Sequence, residues 1–269
     1  MGYKGLVMDI DGTLYNSGKE ITEATRQAVY RAREAGKVIA IASGRPVPGI
    51  ADVSRRLELA EKGGFIMAWN GGRILDVQSG ALISETTLPD GIVAEIALLA
   101  REYDAPVVAH TENLLLSETP DDPIIALEAR LNHMTAQKID SLASRAGQKF
   151  YKCILTGSGE KLAALEKIAA RHFEGRLSVY RSEPYFLEIL PPGVDKAHAI
   201  DVLAAHLGMT KDDFIACGDG FNDLSMIRHA GMGVAMANAQ SVVRQNADYI
   251  TASCDDDGLV PVIEKFLIA

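Results

Sequence analysis

Along the first ninety residues, short continuously apolar runs alternate with segments whose apolar positions recur every three or four residues. GLVMD (5–9) and VIAIAS (38–43) are too brief for helices. They also lack the polar alternation of a half-exposed strand, so they read as strands covered on both faces. Between them Thr22 is placed to N-cap a helix whose apolar face is Ala28, Val29 and Ala32, with Gly36 as its stop. Pro48 suits the first turn of a second helix reaching about Ala60, before the strand GFIMAW (64–69). Strand–helix–strand–helix–strand predicts a doubly wound parallel sheet. RILDV and ALISETTL, on either side of Gln78-Ser79-Gly80, predict a hairpin.

The rhythm changes near residue 85. A helix over Gly91–Tyr103 is followed by two short strands, VVAH and LLLSE, and by a helix near Ile124–Asn132. FYKCILTG, a helix from Glu160 to His172, LSVYRSE and FLEILPP complete the stretch. Helices separated by strand pairs predict a mostly antiparallel sheet with helices on one face, an α+β insertion over residues 85–190. After Pro191-Pro192 the parallel rhythm returns: helix 196–207, strand DFIACGD, helix 222–230, strand GVAM, a helix over Ser241–Asn246, strand DYIT and a last helix. The fold class is therefore α/β, with a doubly wound core from residues 1–84 and 191–269 and an inserted α+β domain.

Composition narrows the partners. The 269 residues carry 27 basic and 36 acidic side chains, a formal charge of −9, with 48% apolar residues. This is ordinary globular usage, and its acidic balance disfavours nucleic-acid or anionic-membrane partners, which need clustered positive charge. A small phosphorylated ligand stays compatible, since one local site can oppose the global field. Cys153, Cys217 and Cys254 are widely spaced and show no CxxC; the first two lie in apolar runs and read as buried thiols. The first residues lack a signal-peptide apolar region, Leu6 stands where a myristoylation motif wants Ser or Thr, and no apolar stretch is long enough to span a bilayer. A cytoplasmic setting is expected. The oligomeric state is not encoded in any such pattern.

Candidate chemistry gathers just past the buried strands, where open α/β sheets bind ligands. Asp9-Ile10-Asp11-Gly12-Thr13 puts two carboxylates at i and i+2, followed by a glycine and a hydroxyl, at the end of the first strand. Such a pair suits a divalent cation or a nucleophile and acid; the bland reading is a charged turn. Gly218-Asp219-Gly220-Phe221-Asn222-Asp223 follows the strand FIAC. An N-cap with acidic first-turn residues would account for Asn222 or Asp223, but not for Asp219 at the end of a buried strand, where clustered charge needs a cation. Ser43-Gly44-Arg45 offers a hydroxyl and turn amides suited to phosphate, and Lys196 opens a helix. Taken singly, Ser43 reads as an N-cap or turn residue and Lys196 as a solvated surface lysine.

Together, DIDGTL, SGR, a lysine after EILPPGVD, and GDGFNDLSMIRHAGMGVAMANA resemble the haloacid dehalogenase superfamily of aspartate-nucleophile phosphatases. Within it the chain is similar to the Cof-type branch, which carries a C2B cap between the second and third motifs. The resemblance covers nearly the whole chain; its one small departure is Ala197, where many relatives have glycine after the lysine. It implies that Asp9 is the nucleophile and Asp11 the acid and base. It also implies Mg²⁺ held by Asp9, the backbone carbonyl of Asp11, Asp219 and Asp223. Phosphate would be gripped by Ser43, Lys196, Asn222 and the backbone N–H groups of Ile10 and Gly44.

The implied activity is hydrolysis of small phosphomonoesters such as sugar phosphates, nucleotides or phosphorylated cofactors. A sugar phosphomutase and a non-catalytic phosphate-binding regulator are the alternatives. Asn70-Gly71 either lines the site or forms a turn, and Arg45 faces substrate or pairs with a surface acid. The six histidines show no ligand spacing and are expected on helical surfaces or partly in the core. Asp255-Asp256-Asp257 reads as the acidic start of the last helix, and Met226, Met232 and Met236 as core filler.

Overall fold

The computed structural model describes residues 2–145 and 147–269. Its backbone runs through β1 (Gly5–Met8), β2 (Val38–Ala42), β3 (Phe65–Ala68), β4 (Arg73–Asp76) and β5 (Leu82–Glu85). It continues through β6 (Val107–His110), β7 (Leu114–Ser117), β8 (Thr135–Lys138), β9 (Lys152–Thr156), β10 (Ser178–Glu183) and β11 (Phe186–Leu190). It then closes with β12 (Phe214–Gly218), β13 (Met232–Ala235) and β14 (Tyr249–Ile250). Two compact units result: Met1–Gly44, Ile50–Glu85 and Asp195–Ala269 form one, and Arg45–Gly49 with Thr86–Val194 the other.

In the first unit the eight-stranded sheet has the order β14-β13-β12-β1-β2-β3-β4-β5. Strands β14 through β3 pair in parallel, and β4 and β5 add the antiparallel hairpin at the edge. β1 and β12 are buried along their whole length, which explains their unbroken apolar sequences. The strand order reverses between β1 and β12. The crevice beyond their carboxyl ends is the topological switch point where such sheets take ligands.

Local signals work as the sequence implies at several termini. The Thr22 hydroxyl accepts from Thr25 N at the start of helix Glu23–Glu34, and Gly36 takes a positive φ after its end. Asp195 caps helix Lys196–His206 by accepting from His198 N at 2.8 Å. The single helix expected up to Ala60 is instead two. Val47–Arg56 ends, Glu58 adopts a left-handed conformation, and Leu59–Lys62 forms a separate turn. Leu57 and Leu59 are both fully buried, and the kink lets each reach the core. The acidic run is not the start of the last helix. Cys254–Asp256 is a 3₁₀ turn and Asp257 has a φ of 55°. Asp257 accepts from the Thr22 and Thr25 hydroxyls, so the run anchors an earlier helix.

The second unit's sheet has the order β10-β11-β9-β6-β7-β8, antiparallel except for the β7–β8 pair. Strand β8 has the sequence TAQK, largely exposed, and carries too little apolar signal to be read from sequence. Helices lie on both faces rather than one. Helices Ile92–Glu102 and Gly159–His172 pack with Val107, Ala109, Cys153 and Leu155, whereas Pro123–Leu131 packs with Val108, Leu115 and Ile154. Alternation along β6 and β9 supplies both layers. His110 takes the core rather than the helix-surface alternative, and more completely than expected: it lies in β6, fully buried. Met226, Met232 and Met236 are buried, and all three cysteines are free thiols, Cys153 and Cys217 buried. No helix among the described residues is long and apolar enough to cross a membrane.

Candidate active site

The loops that follow β1 and β12 bring acidic side chains into one polar cluster in the first unit. Asp9 directly follows β1, its backbone N–H donating to the Cys217 carbonyl of β12 at 3.0 Å. Asp219 directly follows β12, and Asp223 closes the adjoining 3₁₀ turn Phe221–Asp223. Asp9, Asp219 and Asp223 each present a carboxylate oxygen within 4.8 Å of the others.

Lys196 lies among these acids. It is wholly buried, and its Nζ donates to Asp9 Oδ1 at 2.6 Å and to Asp223 Oδ1 at 2.5 Å. Burial works against its charge, but the Asp223 and Asp9 carboxylates more than offset that, so the ammonium is held more firmly protonated than usual. Asp223 Oδ2 accepts from the backbone N–H groups of Asp219 and Gly220, at 2.9 and 2.8 Å. Asp223 therefore braces both the lysine and the loop that carries Asp219. Gly218 makes room for it, since a Cβ there would lie 2.5 Å from that of Asp223.

The electrostatics are those of a centre short of positive charge. Burial, then the Asp223 carboxylate, pushes Asp9 up to about 8 despite the nearby lysine. Asp219 is raised to about 6, again by burial first and Asp223 second, although Thr13 Oγ1 donates to its Oδ1 at 2.9 Å. Three carboxylates against one ammonium leave net negative charge in a desolvated place. A hard cation accepting oxygen ligands fits that donor set, which contains neither sulfur nor nitrogen.

The remaining expected residues surround this cluster. Ser43 is buried after β2, with its N–H on the Met67 carbonyl and its own carbonyl accepting from Asn70 N at 2.8 Å. Gly44 faces the Asn70 amide, and Asn222 Nδ2 donates to Asn70 Oδ1 at 3.3 Å. Asn70, buried with a φ of 57°, thus joins the loops of Ser43 and Asn222 and, with Gly71, also forms the turn between β3 and β4. Ile10 is buried and its carbonyl accepts from Tyr15 N at 2.7 Å. Asp11 is not one of the three converging acids, although its charge acts on Asp219; its Oδ1 accepts from Lys19 Nζ at 2.8 Å. Arg45 belongs to the second unit, where Nη1 donates to the carbonyls of Gly49 and Leu131.

Three further contributors were given no role of their own from the sequence. Thr13 steadies Asp219, Asn238 Nδ2 holds the Gly12 carbonyl at 2.8 Å, and Lys19 reaches Asp11. Thr13 stood inside a recognised motif. Asn238 also stood inside a recognised stretch, Gly218–Ala239, whereas Lys19 sits in a polar turn whose composition is common to any surface.

The family is settled by the match of the haloacid dehalogenase-like hydrolase family to residues 6–263, and the chain belongs to it. A haloacid dehalogenase-like hydrolase from Bacteroides thetaiotaomicron superposes with a TM-score of 0.90 at 41% identity, covering 98% of this chain and 99% of that one. The Bacillus subtilis 5-amino-6-(5-phospho-D-ribitylamino)uracil phosphatase YcsE is 27% identical over 98% of this chain and 96% of its own length. The subclass IIB sugar phosphatase BT4131 shares the fold, with a TM-score of 0.82 at 24% identity, over 99% of this chain and 100% of that one. Within the family the protein is a phosphatase of the Cof type.

Proposed function

We propose that the protein is a Mg²⁺-dependent phosphomonoesterase that cleaves small phosphorylated metabolites through an aspartyl-phosphate. One observation carries this reading: Asp9, Asp219 and Asp223 converge with Lys196 at the switch point of the sheet. Asp9, Asp219, Asp223 and the Asp11 carbonyl are the groups suited to hold the ion, which would supply electrostatic compensation for the crowded anions and the incoming phosphate.

The residues then divide the work. An Asp9 oxygen attacks phosphorus while the bond to the substrate alcohol breaks, and Asp11 gives that alcohol its proton. Water next attacks the phosphorus of the aspartyl-phosphate as Asp11 takes a proton from it. The bond to Asp9 breaks, and inorganic phosphate and free Asp9 result. Lys196, Ser43, Asn222 and the N–H groups of Ile10 and Gly44 hold the phosphoryl oxygens. Most of the acceleration in phosphoryl transfer comes from such positioning and charge stabilisation. For this to occur Lys196 must share its donors between Asp9 and phosphate, which its three N–H bonds allow.

Small phosphate monoesters as substrates are supported by the substrate that names the Bacillus subtilis relative. A phosphate-release assay over a panel of sugar phosphates, nucleotides and phosphorylated cofactors, with Mg²⁺ or with chelator, tests the reading. The expected result is Mg²⁺-dependent release of free phosphate, abolished in Asp9→Asn, with a quenchable phosphoprotein in the native enzyme. Isomerised sugar phosphate without free phosphate would identify a mutase instead.

A further inference from the structure

We infer that Asn238 is a positioning residue for the cation site, fixing how the loop after β1 meets the loop after β12. The inference rests on the Mg²⁺ reading given above. The two loops follow different strands, so the meeting of their oxygen donors is set by bonds made between them. Thr13 makes the direct link, its hydroxyl donating to Asp219 Oδ1 at 2.9 Å. A third loop, residues 236–240 after β13, grips both.

It holds the loop after β12 by its backbone. Met236 N donates to the Gly218 carbonyl at 3.1 Å and Gln240 N to the Asp219 carbonyl at 2.9 Å. It holds the loop after β1 by one side chain, Asn238 Nδ2 donating to the Gly12 carbonyl at 2.8 Å. The other end of that amide is engaged too, Oδ1 accepting from Cys254 N at 2.9 Å. The amide therefore has one orientation, because turning it over would set acceptor against acceptor and donor against donor. The loop that presents it is itself braced. Met236 and Ala239 are buried, Ala239 N donates to the Met236 carbonyl at 2.9 Å, and Arg244 Nη1 donates to the carbonyls of Ala237 and Ala239.

What Asn238 holds is the peptide on which the geometry of the centre turns. Gly12 has a φ of +81° and lies so close to Asp219 that a Cβ would sit 2.4 Å from its Oδ2. The Gly12 carbonyl shares its peptide with Thr13 N, and the peptide before it carries the Asp11 carbonyl, one of the oxygens suited to the ion. Pinning the Gly12 carbonyl thus steadies two things at once: the Thr13 hydroxyl on Asp219 and the direction of the Asp11 carbonyl. Asn238 itself is exposed, so its bonds contribute only modestly to the stability of the fold. Groups that orient metal ligands act on affinity far more than on folding.

Calorimetric titration with Mg²⁺ alone tests this, alongside thermal melts in chelator. Asn238→Ala should weaken Mg²⁺ binding about tenfold, while the metal-free Tm stays close to that of the native protein. Combined with Thr13→Val, the loss should be much smaller than the product of the two single losses, as for residues acting through one carboxylate. Asn238→Asp decides between geometry and charge. It keeps an acceptor for Cys254 N but turns a second acceptor on the Gly12 carbonyl. Positioning requires it to weaken Mg²⁺ binding, whereas the added negative charge alone would strengthen it. In turnover, raising Mg²⁺ should recover the kcat of Asn238→Ala, with KM for the phosphate ester little changed. Native affinity in Asn238→Ala, tighter binding in Asn238→Asp, losses that multiply in the double variant, or a kcat still low at saturating Mg²⁺ overturns the role of Asn238. A native protein that binds no Mg²⁺ overturns the cation reading itself, and this inference with it.

Discussion

Lys196 Nζ lies 2.6 Å from Asp9 Oδ1, although the two residues are 187 positions apart in the chain. The lysine reaches from the first position of its helix, where a positive charge opposes the helix dipole. Its stability there comes from the two carboxylates it bridges.

Removing that ammonium leaves two buried acids facing each other. Lys196→Met should therefore destabilise the metal-free protein at pH 8 by about 3 kcal/mol or more, the usual cost of breaking a buried pair. Urea denaturation with and without Mg²⁺ checks this. The deficit should shrink when the ion is present or when the pH is lowered, since either neutralises the stranded carboxylates. Phosphatase activity should fall in both cases.

The pH dependence of the metal-free protein follows from Asp9. Its carboxyl is raised from 3.8 to about 8, mainly by burial. A raised acid favours the fold while it is protonated, so its contribution is fully present below the ordinary value and is lost as pH rises through about 8. Asp219, raised to about 6, acts in the same direction. Thermal melts in chelator should thus decline from pH 5.5 to 8.5 on this account. The gain in Tm from Mg²⁺ should grow over the same interval, because the ion replaces bound protons. In Asp9→Asn the chelator curve should flatten.

Gly12 and Thr13 set the position of Asp219. Gly12 has a φ of +81°, and a Cβ there would lie 2.4 Å from Asp219 Oδ2. Gly12→Ala should displace that carboxylate, and Thr13→Val should release it by deleting the hydroxyl donor. Each should weaken Mg²⁺ binding about tenfold or more, as changes to the groups around metal ligands commonly do. Calorimetric titration of Mg²⁺ is the direct measurement. Retained affinity in both variants would show that Asp219 does not hold the ion.

In the second unit, His110 and Glu128 lie 3.4 Å apart at buried positions. They do not form an ion pair. Burial, reinforced by the Lys152 ammonium, holds the imidazole well below its usual range, and burial raises the Glu128 carboxyl. A histidine kept neutral favours the fold above about pH 6.5 and withdraws that support as pH falls below it. The contribution of His110 alone should therefore fall toward pH 5 by up to about 1.4 kcal/mol per pH unit, against the raised acids, Glu128 included, whose contributions run the other way. His110→Gln should reduce the acid slope in denaturant titrations.

Much of the chemistry was legible because it is local. GLVMD and DFIACGD announce buried strands by unbroken apolarity, and the acids that follow them stand out because charge at such a boundary needs a reason. Strand TAQK and the kink at Glu58 were not legible. The first carries almost no apolar pattern, and the second depends on where Leu57 and Leu59 find the core. For His110 the choice between surface and core was not legible, since a lone histidine at a strand end has no periodic signature.

Sequence by itself determined the parallel rhythm, the insertion, and the loops bearing Asp9, Ser43, Lys196 and Asp219, for strand and turn preferences act over a few residues. Tertiary structure alone decided which charges meet. It put Lys196 on Asp9 and Asp223, drew Asp11 toward Lys19, and set Asn70 between Ser43 and Asn222. The meeting of Lys196 and Asp223 with Asp9 follows from the reversal of strand order between β1 and β12. That reversal is fixed only when the whole sheet forms, and no stretch of local sequence encodes it.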